Sequence, residues 1–282
     1  MAPPPSANLP LSDRILALAK TLQFAWFSGH LVLLLCIVRY SLSVITFNST
    51  SRWARFTYRT AFLSAALTYG IVVYKTWRAR QKVGAKNIGA IGVLSDENVQ
   101  YLVMALVWLI APQYSLAMLP YGIYSVFHVA TYTRNNVIPT IQPSKAPAGA
   151  SPGAKPQSAN PIAEVIGNFV KKYYDMSMSV VSMLEIALWL RLLLSAILFQ
   201  RRSWILIVIY TAFLRTRFAQ SSHVQDSFSI LESRIDTLAS AQGIPPAARA
   251  VWDGLKNVAR QFHDATDLGK YTNGSAVPKK TS

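Results

Sequence analysis

The chain has 282 residues, 52% of them hydrophobic and only 14% charged, with 28 Lys and Arg against 12 Asp and Glu for a formal charge of +16. Soluble domains carry about a quarter charged residues, so this deficit and a mean hydropathy of +0.27 argue against a water-soluble fold and for lipid contact. The basic surplus sits between apolar runs, where it meets anionic headgroups rather than nucleic acid, and one cysteine, Cys36, cannot build a disulfide framework or a thiolate metal site.

The opening "MAPPPSANLPLSDRILALAK" is Pro-rich and polar, then offers Ser12 and Asp13 as helix caps, without the pattern of a cleavable signal. Residues 1–20 are read as a cytosolic segment and the first hydrophobic run as retained. Residues 21–38 contain no charge, and the apolar character continues past Arg39 to Phe47. That satisfies the roughly 20 residues a crossing needs, and a crossing is placed at about 22–47. A basic loop with Arg52, Arg55 and Arg59 precedes the uncharged run 60–74, which Trp53, Tyr58, Tyr74 and Trp77 flank as interfacial aromatics; this is a second crossing, about 56–77.

A basic connector at 75–97 leads to residues 98–133, which hold no Asp, Glu, Lys or Arg. As one helix they would run to roughly 54 Å, too long for a single crossing. Pro112 removes a donor in mid-run, so a hairpin or re-entrant pair is expected. Residues 21–141 thus form an N-terminal membrane module. The stretch 142–161, rich in Pro, Ala, Gly and Ser with no large apolar residue, reads as a disordered linker. No internal repeat is evident.

The second module, 162–218, is a hairpin whose apolar part begins near Met176. Its second arm has 12 uncharged residues between Arg202 and Arg215, reaching only about 18 Å against a hydrocarbon core of about 30 Å. A crossing pair, a shallow hairpin and a soluble pair compete; "WILIVIYTAFL" is apolar all round, which favours membrane embedding. Glu185 and Arg191 point about 120° apart on one helix and do not pair as neighbours. Each is free to pair with another helix, to snorkel, or to line an ion path.

Residues 219–269 read as a cytosolic helical tail. Val224, Phe228, Leu231, Ile235 and Leu238 make a heptad-like seam for packing on another helix. In the helix 245–265, Val251, Leu255, Val258 and Phe262 fall in one arc, which Trp252 and Ala259 widen, with Arg249, Asp253, Lys256 and Arg260 opposite. Such a helix suits a membrane surface, aromatics entering the headgroup boundary while Arg249, Lys256 and Arg260 meet anionic lipid; the alternative is a surface helix over a soluble core. Residues 270–282 are read as a disordered tail.

Chemistry is missing. His30, His128, His223 and His263 are scattered without metal-ligand spacing, and no phosphate loop, dinucleotide fingerprint or nucleophile elbow occurs. Neither catalysis, a metal nor a cofactor is expected. His30 and His128 read as interhelical hydrogen-bonding groups, with Gly29 allowing close approach, the alternative being a proton relay. Sequons stand at Asn48 and Asn273. If each hairpin returns to its starting side, both termini, the connector, the linker and the tail share the cytosolic face, and the loop at Asn48 is lumenal.

"DENVQYLVMALVWLIAPQYSLAMLPYGIYSVFHVATYTRN" (96–135) resembles the signature hairpin of the transmembrane protein 33 family, above all in its ending at His128 to Arg134. "AFLRTRF" (212–218) and "FSILESRID" (228–236) resemble the block after that family's last membrane segment, and "WFSGHL" (26–31) is similar to its fungal, transmembrane-nucleoporin branch. The resemblance covers most of residues 20–240. It implies a place in the endoplasmic reticulum membrane and nuclear envelope, association with nuclear pore components, and a part in pore biogenesis or distribution. It also implies membrane shaping alongside reticulon-type proteins, a C-terminal region that binds curved membrane, and engagement of an importin. The fold class expected is all-α: a polytopic membrane helical bundle with hairpin segments and a C-terminal amphipathic helix, acting as a non-enzymatic scaffold. The alternative is a transporter or channel using Glu185, Arg191 and His30.

Overall fold

The computed structural model describes residues 9–82, 90–143, 160–241 and 244–266, and every regular element among them is helical. They are α1 (Leu11–Ala19), α2 (Leu22–Ile45), α3 (Arg52–Lys82), α4 (Ala90–Leu94), α5 (Glu97–Ile110), α6 (Met118–Tyr132), α7 (Ile138–Ile141), α8 (Pro161–Ile197), α9 (Ser203–Gln220), α10 (Ser222–Ala239) and α11 (Pro246–Ala265). Their starts follow local chemistry. Thr21 accepts the Phe24 N–H at 3.1 Å to open α2, Asp96 accepts the Asn98 N–H at 2.9 Å to open α5, and Asn160 caps α8 with Pro161 in its first turn. One compact unit ends at Arg217 and a second begins at Phe218.

In the first unit the helices alternate in direction. Tyr40 against Tyr58 and Gly29 against Thr68 set α2 antiparallel to α3. The Arg59 guanidinium donates to the Trp108 and Leu109 carbonyls while Tyr69 stacks on Tyr101, so α5 runs against α3. Phe27 on Tyr132 and His30 on Ser125 set α6 against α2. Phe127 on Phe169 and on Tyr174 sets α8 against α6, and Trp108 on Tyr210 with Tyr101 on Phe213 sets α9 against α5. The turns after α2, α5 and α8 therefore lie on one face. The starts of those helices and the ends of α3, α6 and α9 lie on the other.

Residues 98–133 break where Pro112 stands, at Ala111–Tyr114, followed by a short 3-10 turn. The arms of this hairpin pack less on each other than on their neighbours, α5 on α3 and α6 on α2 and α8. Tyr121 joins them by donating to the Tyr101 carbonyl at 2.9 Å. A buried aromatic core of Tyr58, Phe62, Tyr69, Tyr101, Trp108, Tyr121, Tyr210 and Phe213 fills the centre.

Two described helices, α2 with 24 residues and α8 with 37, are long and apolar enough to cross a membrane. Leu35, Val38, Leu42 and Ile45 on α2 and Leu190, Leu194 and Ile197 on α8 are exposed, a belt that water would not tolerate. The crossing expected at 56–77 lies inside α3, whose arginines and tyrosines keep it below that hydropathy. The short-arm arithmetic also changes: α9 has 18 residues, about 27 Å, because the helix continues through Arg215 and Arg217. Pro161, assigned to the linker, is the first residue of α8; residues 144–159 of the linker, 83–89 of the connector, and the tail with Asn273 lie outside the described residues.

The reading that the chain lacks an internal repeat is corrected by the two long hairpins. Arg39, Ser43 and Phe47 before the first turn recur as Arg191, Ser195 and Phe199 before the other; Trp53 recurs as Trp204, and Thr60-Ala61-Phe62-Leu63 as Thr211-Ala212-Phe213-Leu214. Both turns close alike. Phe47 donates to the Val44 carbonyl at 3.0 Å and Asn48 to that of Ser43 at 2.7 Å; Phe199 donates to Ala196 and Gln200 to Ser195, both at 3.0 Å. This is a Schellman end with phenylalanine in the left-handed position, φ 55° and 51°, where glycine ordinarily sits. Sparse identities and a one-residue difference in the turn hide the repeat from inspection.

Candidate functional site

Two regions carry unusual chemistry, one in each unit. In the first, Glu185 on α8 and Arg217 on α9 are both buried. Arg217 reaches three acceptors: Nη1 donates to Glu97 Oε1 at 2.6 Å, Nη2 to the Tyr124 hydroxyl at 3.3 Å, and Nε to Glu185 Oε2 at 3.5 Å. Its guanidinium lies over the Tyr101 ring, 5.3 Å from the centroid, and the Tyr101 hydroxyl donates to the other Glu185 oxygen. One cation and two carboxylates thus tie α5, α6, α8 and α9 together, with donors and acceptors matched inside the chain.

The residues singled out for an ion path are not brought together. Glu185 is closed by Arg217 and Tyr101. Arg191 is exposed and donates to Ser195 Oγ at 2.5 Å. His30, fully buried, lies 2.9 Å from Ser125 Oγ. Since that hydroxyl donates its one proton to the Tyr121 carbonyl at 2.7 Å, His30 Nδ1 is the donor in the pair. Trp26 packs edge-on against His30, and Gly29 admits α3, since a Cβ there would come within 2.5 Å of Thr68 Cγ2. Sequence reasoning found Glu185 and missed Arg217. The available signal was "LRTRF": an acid inside one arm of a hairpin calls for a base on the other.

The second region is the pair α10 and α11. The expected membrane face of α11 is divided. Val251, Leu255, Val258 and Phe262 form an apolar ridge that is 64%, 57%, 63% and 46% exposed, so nothing in the described structure covers it. Trp252, expected on that face, instead turns toward α10 and donates its indole N–H to Asp236 at 2.6 Å. Lys256 donates to the same carboxylate oxygen at 2.8 Å. Arg249 caps the end of α10 by donating to the Ala239 carbonyl at 2.8 Å, and Arg260 lies 3.8 Å from Glu232. The basic residues expected to face headgroups are thus engaged by α10, because its acids stand on the side that α11 meets. The Lys256 hydrogen bond, then that of Trp252, holds the Asp236 carboxyl below the ordinary carboxylate range, and the same bond holds the Lys256 ammonium above the usual lysine value. In the seam of α10 Val224 is buried while Leu238 is 67% exposed. Phe218 packs on Phe228 and His263. Among the described residues no group of His, Cys, Asp and Glu could hold a metal ion.

Comparison with known proteins gives a consistent result. A family model described as Transmembrane protein 33/Nucleoporin POM33 matches residues 9–263. The chain is 66% identical to Nucleoporin POM33 of Chaetomium thermophilum over 99% of both chains. It is 30% identical to the Pore membrane protein of 33 kDa of Saccharomyces cerevisiae over 89% of this chain and 87% of that one. It is also 30% identical to Tetra-spanning protein 1 of Schizosaccharomyces pombe over 93% and 91%. No solved structure matches.

Proposed function

From the premise that the chain belongs to the Transmembrane protein 33/Nucleoporin POM33 family, we propose that it is a non-enzymatic membrane scaffold of the endoplasmic reticulum and nuclear envelope, working at the nuclear pore. The names of its relatives, a nucleoporin and a pore membrane protein, support the location. The observation that carries the mechanism is the uncovered ridge of α11. A row of half-exposed apolar side chains on one face, backed by a polar face already satisfied by α10, has water as its alternative to lipid. Burying it lets the helix wedge into one leaflet and favours curved membrane such as a pore rim. The hairpins add to this asymmetry: α5, with 14 residues, reaches about 21 Å, short of the roughly 30 Å core.

The alternating helix directions support a multi-pass arrangement with Asn48 on the lumenal face and both termini cytosolic. Nuclear pore components, reticulon-type proteins and an importin complete the proposed partners. A transporter or channel is disfavoured, because Glu185, Arg191 and His30 each have separate partners within the chain.

The test labels the full chain at Val258→Cys, in a Cys36→Ala background, with an environment-sensitive fluorophore and reconstitutes it in phosphatidylcholine/phosphatidylserine vesicles. Spin-labelled lipid should quench the label, more strongly in small vesicles than in large ones. Leu255→Asp with Phe262→Asp removes about 2–3 kcal/mol of burial, scaled by their exposure, and should cut insertion roughly a hundredfold. Equal quenching in the variant refutes insertion.

A further inference from the structure

The duplicated hairpins carry a second membrane device, and we infer that Arg39 and Arg191 are paired binding sites for phosphate groups of phospholipids at the turn face of the bundle. The inference rests on the reading that α2–α3 and α8–α9 are embedded in a bilayer. Each arginine is exposed on a helix whose neighbouring surface is apolar: Leu35, Val38 and Leu42 beside Arg39, and Leu190, Leu194 and Ile197 beside Arg191. Among the described residues neither guanidinium makes an ion pair. A cation facing lipid without a partner is costly, so an acceptor must come from outside the chain.

The direction of both side chains says where that acceptor lies. Helical side chains ordinarily lean toward the N-terminus. Here Arg39 donates forward to Ser43 Oγ at 2.7 Å and Arg191 forward to Ser195 Oγ at 2.5 Å. Each serine donates its one proton to the arginine's own carbonyl, so toward the guanidinium it acts only as an acceptor. It holds one N–H of the fork on the turn side, and no ion pair among the described residues occupies the other donors. Both arginines stand six residues before the end of their helix, roughly 9 Å along the axis, a depth that a snorkelling side chain spans.

Aromatic residues mark the same level twice. Phe47 and Phe199 are 97% and 80% exposed in a backbone conformation that a phenylalanine adopts only at a cost, and Trp53 and Trp204 follow them, also exposed. A planar five-donor cation between interfacial aromatics matches a phosphate diester, which it grips with two prongs. The shared ligand chemistry is a phosphate anion, supplied by a lipid headgroup or by free phosphate.

Full-length protein is assembled in phosphatidylcholine/phosphatidylserine nanodiscs, released into detergent and weighed by native mass spectrometry, with carbonate extraction from membranes run in parallel. Wild type should retain two phospholipids. Arg39→Gln and Arg191→Gln should each lose one, and the double variant both, with residence shortened about tenfold or more per site. Inorganic phosphate added in excess should leave the lipids bound; if it displaces them and binds lipid-free protein equally well, the lipid assignment is overturned. Should the double variant fail to elute as a single folded species, Ser43→Ala with Ser195→Ala, which keeps both charges, must still shorten residence. Unchanged retention in a folded variant that still resists carbonate overturns this inference alone. Release of wild type by carbonate overturns the membrane reading beneath it.

Discussion

Arg217 should be the least replaceable charge in the membrane unit. Its side chain is 5% exposed, that of Glu185 1%, and that of Glu97 49%. Replacing Arg217 with Met leaves Glu185 buried with, among the described residues, the Tyr101 hydroxyl as its one remaining partner, and an orphaned buried charge costs about 3–5 kcal/mol. Glu185→Gln keeps an acceptor for Tyr101 and leaves Arg217 paired with Glu97, for a loss of about 1–2 kcal/mol. Glu97→Gln touches a half-exposed pair, worth about 1 kcal/mol or less. The double variant Arg217→Met/Glu185→Leu removes both charges together and should fall short of the summed losses of Arg217→Met and Glu185→Leu measured singly by at least about 1 kcal/mol. Unfolding of the detergent-solubilised chain, followed by helical circular dichroism in increasing SDS, ranks the variants. Equal losses for Arg217→Met and Glu97→Gln, or strict additivity in the double variant, would refute the clamp.

Gly29→Ala places a methyl group 2.5 Å from Thr68 Cγ2 and should cost about 1–3 kcal/mol; Thr68→Ser, which deletes that methyl and keeps the hydroxyl bonded to the Ala65 carbonyl, should restore thermal stability to the pair. The Asp236 clasp should hold at neutral pH. Because the Asp236 carboxyl is lowered by the Lys256 and Trp252 bonds, its contribution is lost only as pH falls below the ordinary aspartate range; the ammonium of Lys256, raised by the same Asp236 bond, keeps its share until pH rises past the ordinary lysine range. The indole N–H resonance of Trp252 should shift with acid in the wild type and not in Asp236→Asn. Finally, Asn48 should acquire glycan when the chain is made on microsomes, whereas a sequon placed in the connector at residues 83–89 should not.

The long uncharged runs made α2, the break at Pro112 and the two arms at 161–220 legible, because lipid demands length and proline demands interruption. The amphipathic arc of α11 was legible by the same geometry. Its second layer was not. Trp252 lies 100° from Val251 on the helix, near enough to the ridge to count with it, and only the presence of Asp236 on α10 turns it away. The Glu185–Arg217 pair was hidden for a related reason: its members lie 32 residues apart and meet only because α8 and α9 fold back on one another. The hairpin repeat escaped because its shared residues sit at turns and contact points, while the intervening apolar positions are interchangeable in lipid.

Five arginines then divide into three groups by where their acceptors lie. Arg217 has its carboxylates inside the chain and is buried, so it holds helices to helices and offers nothing to a ligand. Arg249 and Arg260 have theirs on α10, so the basic face of α11 is occupied and its exposed ridge is what the proposed membrane contact has left to use. Among the described residues Arg39 and Arg191 hold only a serine, and they stand exposed in an apolar belt; the charge inferred to complete them is that of a lipid phosphate. The same side chain thus serves as clamp, clasp and proposed lipid contact, and the deciding quantity is whether a carboxylate or a helix-end carbonyl lies within reach.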